Sequence, residues 1–509
     1  MSFRLGVLGG GPDESRGARA SFGDGFKYGL FVLRVRTNGL DDVRDQFGPP
    51  FQVHVHVGPS ALDQLPQAHQ PVVGNDERDE QRTAHNCDSP NHERTRSADH
   101  STLRRNIPPG GFKGVDSFAV CWSSYNGTMI NEERLIDLFL SLCNINSPAL
   151  QEREIVDWVT GYLESQGLEV AEDDAGRRIG GNANNVISWL RGDPSLPKVF
   201  LSAHFDTVEP TAGLVIEEVE GVFRSASDTI LGADDKGGMA PAIEALLSLK
   251  ESGKPHGDVA LLLSCAEEIG LKGAEALDIQ SLGLDFGYVL DTGPPVGSFV
   301  TRTATHDKLD VKIVGKPAHA GKDPEHGINA IQVLSEAVHG MRLGRIGPET
   351  TANIGLIQGG TAVNVVCPFV TVRAEARSTD VKALEAQIDH MIRQFEEAAA
   401  AWGATVEIEH ERHYEAYQIP EDSEVVAVAV EASKSLGFDP TLRVTLGGSD
   451  ANVYNSKQTP CIVMATAMDK IHTHDEQISR QGLIDTARLA LKVLEVAAER
   501  ATRKKLEFV

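Results

Sequence analysis

Cysteine is scarce in this chain, and what there is has no pattern. The six residues Cys87, Cys121, Cys143, Cys265, Cys367 and Cys461 never fall into CxxC spacing, so neither a disulfide framework nor a thiolate zinc site is indicated. Long apolar runs are also missing. No stretch approaches the roughly 18 consecutive apolar residues of a membrane span, and the amino terminus has no basic region followed by an apolar segment, so the expected location is cytoplasmic, with no membrane partner. Basic excess is absent too. With 48 Lys and Arg against 73 Asp and Glu, the formal net charge is -25. A surface of that sign repels phosphate backbones, which argues against a nucleic-acid partner.

The chain does have size and apolar content. Its 509 residues are 41% hydrophobic, enough for two or three cores at about 100–200 residues per domain. Residues 1–128 mix turn residues, His, Arg and Asp without sustained periodicity. Such a stretch cannot bury enough apolar surface to offset chain entropy, so it is read as a disordered or spurious extension. From Met129 onward, helical and strand patterns alternate as in an open α/β sheet. Helices are expected over about 131–145 and 151–166, followed by the strands KVFLSA and DVALLLS on either side of a helix through PAIEALLSLKES, and by FGYVLD ending at Asp291. Over 302–414 the order becomes strand, helix, two strands, helix, strand, a compact α+β insert. The first pattern returns over 415–509. The simplest organisation is a discontinuous domain, 129–301 and 415–509, interrupted by a second one.

The chemistry-bearing residues sit where apolar strands end. In LSAHFDTVEP, His204 and Asp206 share a face because alternate strand residues do; the imidazole is a good zinc ligand and the carboxylate can support it. The turn ILGADDKGGM places Asp234 and Asp235 ahead of two glycines and a helix. An acidic helix cap needs one Asp at most, whereas Asp234 can bridge two cations with its two oxygens. Glu267 and Glu268 emerge together from DVALLLSCA. Like charges so close raise the pKa of one member, as a general base near neutral pH requires, while the other can bind metal. Asp291 ends FGYVLD, and DKIHTHDEQIS carries His472 and His474 in a loop. Together His204, Asp234, Glu268, Asp291 and His472 supply one His and one or two carboxylates to each of two cations, with Asp234 shared. That nitrogen and oxygen mix suits zinc, with cobalt or manganese as substitutes.

The segments HFDTV, LGADDKGG, EEIGLKGA, PAHAG, TTANIG, GGTAVN, AEARS, GGSDAN and IHTHDE occur in the order found in the metallopeptidases related to carboxypeptidase G, aminoacylase and peptidase T, and the chain after Met129 resembles the peptidase T-like members. The resemblance implies an α/β fold class: a discontinuous zinc-peptidase catalytic domain, a mixed sheet between helices, with an inserted α+β, ferredoxin-like lid and dimerisation domain. It implies that His204, Asp234 and Asp291 hold one Zn2+ and that Asp234, Glu268 and His472 hold the other, about 3.5–4 Å away. Asp206 would orient His204, and Glu267 would be the general base on water between the ions. His472 is chosen over His474 because the family pattern puts its His four residues before a Glu, here Glu476, and His474 is the alternative. In the lid, His319 of PAHAG would reach a partner subunit's site in a homodimer. Asn364 and Arg377 would contact the substrate carboxylate, and Gly447, Gly448 and Ser449 would line the substrate end of the pocket. The implied activity is removal of the N-terminal residue from short peptides such as tripeptides. Hydrolysis of N-acyl amino acids by the same metal chemistry, or a binding protein that kept the fold, are the alternatives.

Overall fold

The computed structural model describes residues 130–507, together with the two-residue strands Ala20–Ser21 and Arg34–Val35, which pair with each other in antiparallel fashion. The expected extension over 1–128 otherwise lies outside the described residues, as do Cys87 and Cys121. Among the described residues no helix is long and apolar enough to cross a membrane.

The main sheet has eight strands in the order Thr441–Val444, Ser298–Arg302, Cys461–Met464, Phe286–Val289, Val199–His204, Val259–Ser264, Val186–Leu190 and Glu169–Glu172. Its middle is parallel: Val199–His204 pairs in that sense with both Val259–Ser264 and Phe286–Val289. Those three strands are buried at every position, as continuous apolar runs between helical layers should be. Antiparallel pairings at Val186–Leu190 and at Cys461–Met464 make the sheet mixed. The expected α/β class is the one observed.

The helix Ala233–Ser252 forms the centre of the larger core, buried from Ala233 through Leu249. It packs between Glu132–Cys143 and Arg480–Glu507. Its Glu244, fully buried, accepts hydrogen bonds from Arg134 Nε at 2.7 Å, from Asn131 N at 2.8 Å and from Ser248 Oγ at 2.6 Å. A buried charge is tolerated only when satisfied in this way, and the arrangement pins the first helix to the central one.

Residues between Thr305 and Tyr414 build a separate antiparallel sheet in the order Gly344–Gly347, Thr350–Gly359, Phe369–Ser378, Thr305–Val314 and Thr405–Tyr414. Alternation decides its faces. In Phe369–Ser378 the residues Val370, Val372, Ala374 and Ala376 point inward and meet Leu384, Ile388, Met391 and Phe395, an apolar stripe at helical spacing on Val381–Trp402. Each such buried Leu or Phe contributes roughly 1.5–3 kcal/mol. With Ala330–Gly340 on the same side, this is the ferredoxin-like split βαβ arrangement, and it has its own core.

Candidate active site

The parallel strands deliver their carboxyl ends to one cavity of about 420 Å³, lined by His204, Asp234, Glu267, Glu268, Asp291 and His472 on the main domain. His204 ends Val199–His204, Glu267 and Glu268 follow Val259–Ser264, and Asp291 follows Phe286–Val289. This is where an open α/β sheet places its ligands.

Asp234 lies at the centre. Its Oδ1 is 3.3 Å from His204 Nε2 and its Oδ2 is 3.2 Å from His472 Nε2. His472 Nε2 is also 3.2 Å from Glu268 Oε1. His474 faces outward instead, towards Glu209 and Asp228 at 3.3 and 3.4 Å, so of the two histidines in that loop only His472 reaches the cluster. Its backbone adopts φ 62°, left-handed for a non-glycine residue. Ligand atoms close enough to share one ion come from His204, Asp234 and Glu268 in one group and from His204, Asp235 and Asp291 in the other.

The second group includes Asp235, which the sequence reading did not count among the ligands. Asp235 is fully buried, its Oδ2 accepts the His204 backbone N–H at 3.3 Å, and its φ of -115° and ψ of 32° are not helical. Regular helix begins after it. The glycines that follow are there for close approach. A Cβ on Gly238 would lie 2.0 Å from Leu290 O and 2.3 Å from Asp235 Oδ1. We therefore expect Gly238→Ala to destabilise the fold by about 1–3 kcal/mol and to lower metal content, read by thermal unfolding and elemental analysis. An unchanged melting temperature would contradict this account of the turn.

Electrostatics explain why such a cluster needs cations. Burial raises the proton affinity of Glu267, Asp291 and Glu268, and their mutual repulsion adds to it. Burial alone would raise Asp234 too, but the imidazoles of His204 and His472 outweigh it and pull that carboxyl below the usual range. Asp234 and Glu268 in turn raise His472 to about 10. Asp234 Oδ1 and Asp235 Oδ1 are buried without a well-aligned hydrogen bond. Acids this dense, with imidazoles among them, fit divalent cations.

Several buried carboxylates hold the backbone that carries these residues, and the sequence reading missed most of them. Asp206 Oδ1 and Oδ2 accept the backbone N–H groups of Glu267 at 2.9 Å and Glu268 at 3.1 Å. His204 Nδ1 lies 3.0 Å from the Asp206 carbonyl oxygen and 3.5 Å from its carboxylate, so Asp206 braces both segments. Glu152, pushed up to about 7 by burial, accepts from Ala266 N at 2.9 Å, and Ala266 is itself left-handed at φ 52°. Glu476 accepts from Gly232 N at 2.6 Å and Asp234 N at 2.9 Å.

The opposite wall of the cavity belongs to the smaller domain and includes Arg377, with Gly447, Gly448 and Ser449 beside it. Arg377 Nη2 donates to Glu375 at 3.0 Å and Nη1 to Tyr414 Oη at 3.2 Å. A Cβ on Gly448 would meet the Tyr414 ring at 2.2 Å, so only glycine lets the two domains close here. Ser449 N-caps Asp450–Ser456 in a capping box with Asn452. His319 and Asn364 stand together elsewhere on the smaller domain, where Ala320 N donates to Asn364 O at 2.9 Å and His319 bridges Val365. Neither lines the cavity of its own chain.

Residues 200–496 match Peptidase family M20/M25/M40. The chain belongs to this family. The M20 assignment makes it a metal-dependent peptidase, with peptidase T enzymes among its relatives. YqjE of Bacillus subtilis is 39% identical over 371 residues, spanning 73% of this chain and 100% of its own length. The crystal structure of aminopeptidase PepT from Bacillus cereus is similar at 38% identity and a TM-score of 0.66, covering 73% of this chain and 100% of that one. That of a tripeptidase from Staphylococcus aureus is similar at 35% identity and 0.69, with the same coverage.

Proposed function

We propose that this M20 peptidase is a two-metal aminopeptidase that removes the N-terminal residue from short peptides, tripeptides among them. The observation that carries the reading is Asp234, one carboxylate facing His204 with one oxygen and His472 with the other. His204, Asp234, Glu268, Asp291 and His472 would hold the ions, with the buried Asp235 against His204. Divalent ions held there supply Lewis acidity, which polarises a scissile carbonyl and acidifies water near neutral pH.

Glu267 does the proton work. Its Oε2 stays 4.0 Å from His204 Nε2 and it belongs to neither group of ligand atoms, so its carboxylate is free to take the proton from the attacking water and hand it to the departing amine. Arg377, whose fork suits a carboxylate, holds the far end of the peptide across the cavity, with Gly447, Gly448 and Ser449 leaving room for its backbone. His319 and Asn364, remote from their own cavity, would complete the site of a second subunit in a homodimer joined through the lid, where the His319 imidazole stabilises the developing oxyanion.

The test is a chromatographic assay of metal-stripped protein with zinc, cobalt or manganese restored, on Ala-Ala-Ala, Ala-Ala and N-acetyl-alanine. We expect alanine release from the tripeptide only after metal is restored. Hydrolysis of the acetyl compound alone would replace this reading with that of a deacylase.

A further inference from the structure

The lid wall of the cavity carries a cation for which the reaction above has no use. Among the described residues, the other Lys and Arg on the lid strands Phe369–Ser378, Thr305–Val314 and Thr405–Tyr414 all have carboxylate partners: Lys312 with Glu407, Arg373 with Asp310, Arg377 with Glu375 and Arg412 with Asp307. Lys308, half-buried and lining the cavity, has none within ion-pair distance. Its strand neighbours Glu375 and Glu411 lie in register with it, but Glu375 is committed to Arg377. The ammonium donates instead to His413 Nε2 at 3.1 Å.

A row of close polar contacts surrounds this arrangement. A register shift in the pairing of Thr305–Val314 with Thr405–Tyr414 lets His413 and Tyr414, consecutive residues, both line the cavity. His413 Nδ1 lies 3.3 Å from His306 Nδ1, and His306 Nε2 lies 2.9 Å from Glu375 Oε2. Burial and the neighbouring cations lower both imidazoles, His413 to about 4, so each carries one proton. Lys308 requires His413 Nε2 as acceptor, so His413 holds its proton on Nδ1 and His306 holds its own on Nε2, facing Glu375. The two rings thus orient Lys308 without neutralising it. Lys308 faces the acidic end of the same cavity without an ion-pair partner, Glu411 acting on it only from beyond that distance. His413 also abuts the turn after Glu268, where a Cβ on Gly270 would meet it at 2.1 Å, which places the Lys308 partner beside the reacting end.

We infer that Lys308 is a specificity-determining residue that recognises an acidic side chain of the peptide, so that substrates carrying Glu or Asp are selected over their neutral isosteres. This rests on the aminopeptidase reading. A partly desolvated charge-assisted hydrogen bond corresponds to about tenfold in kcat/KM.

The test uses the metal-loaded full chain and the pairs Glu-Ala-Ala and Gln-Ala-Ala, Ala-Glu-Ala and Ala-Gln-Ala, Ala-Ala-Glu and Ala-Ala-Gln. The wild type should favour the Glu member of at least one pair about tenfold, and Lys308→Gln should bring that ratio close to one. Ratios near one in the wild type, or a ratio that Lys308→Gln leaves unchanged, overturn the inference while the aminopeptidase reading stands. If no peptide is cut, that reading has failed and calorimetry decides about Lys308. Glutarate binding about tenfold more tightly than glutaramate, with the difference lost in Lys308→Gln, supports the subsite, and equal binding, or a difference that persists in the variant, overturns it.

Discussion

Glu267→Gln is expected to lower kcat by about 10²–10⁴, roughly 3–5 kcal/mol of barrier, while KM and metal content stay close to wild type. The structure gives the reason the two quantities should separate. Glu267 is placed by its backbone, whose N–H is held at 2.9 Å by Asp206 Oδ1, and its side chain stands outside both groups of ligand atoms. Glutamine keeps the shape and the position and loses only the capacity to take a proton. Elemental analysis and steady-state kinetics on the same preparation check the result. If the variant lost metal in proportion to activity, the parts assigned to Glu267 and Glu268 would have to be exchanged, and Glu268→Gln would then be the variant that keeps its ions.

The residues that converge on the cavity were legible because each ends an apolar strand: the chain announces His204, Glu267, Glu268 and Asp291 by the change from buried run to acid. The braces behind them were not. Glu152 lies 114 residues from Ala266, and Glu476 lies 244 from Gly232, the backbones they hold. Nothing local marks a helix-start Glu as a buried acceptor for a distant turn. Asp235 was not counted among the ligands for a related reason, since an Asp beside a helix start is ordinarily a cap and only its burial against His204 groups it with them. The lid wall was hidden by irregularity. Strict alternation puts Arg412 and Tyr414 on one face, and the register shift that brings His413 to the cavity leaves no trace in composition. Three strands of the main sheet also escaped, Glu169–Glu172 at its edge and Val186–Leu190 and Ser298–Arg302 within it. The first is mostly polar and exposed, so it lacks the apolar signal that marks its inner neighbours.

Asp234→Asn should be the most damaging single change to metal binding. One oxygen of this carboxylate faces His204 and the other His472, so the substitution removes the negative charge from both halves of the site and turns one acceptor into a donor aimed at an imidazole. The surrounding backbone should survive, because Asp234 N remains held by Glu476 Oε1 at 2.9 Å. The expected outcome is a folded chain with about one ion or none, and hydrolysis below detection. Thermal unfolding with and without added zinc gives a readout independent of turnover. A ligand at a hundredfold excess over its Kd stabilises the native state by about 2.7 kcal/mol per site, so the wild-type melting temperature should rise on metal addition and that of the variant should rise less or not at all. A variant that retained both ions, with the wild-type rise in melting temperature, would remove Asp234 from the shared position and shift attention to Asp235, the neighbouring acid whose own oxygen groups with His204 and Asp291.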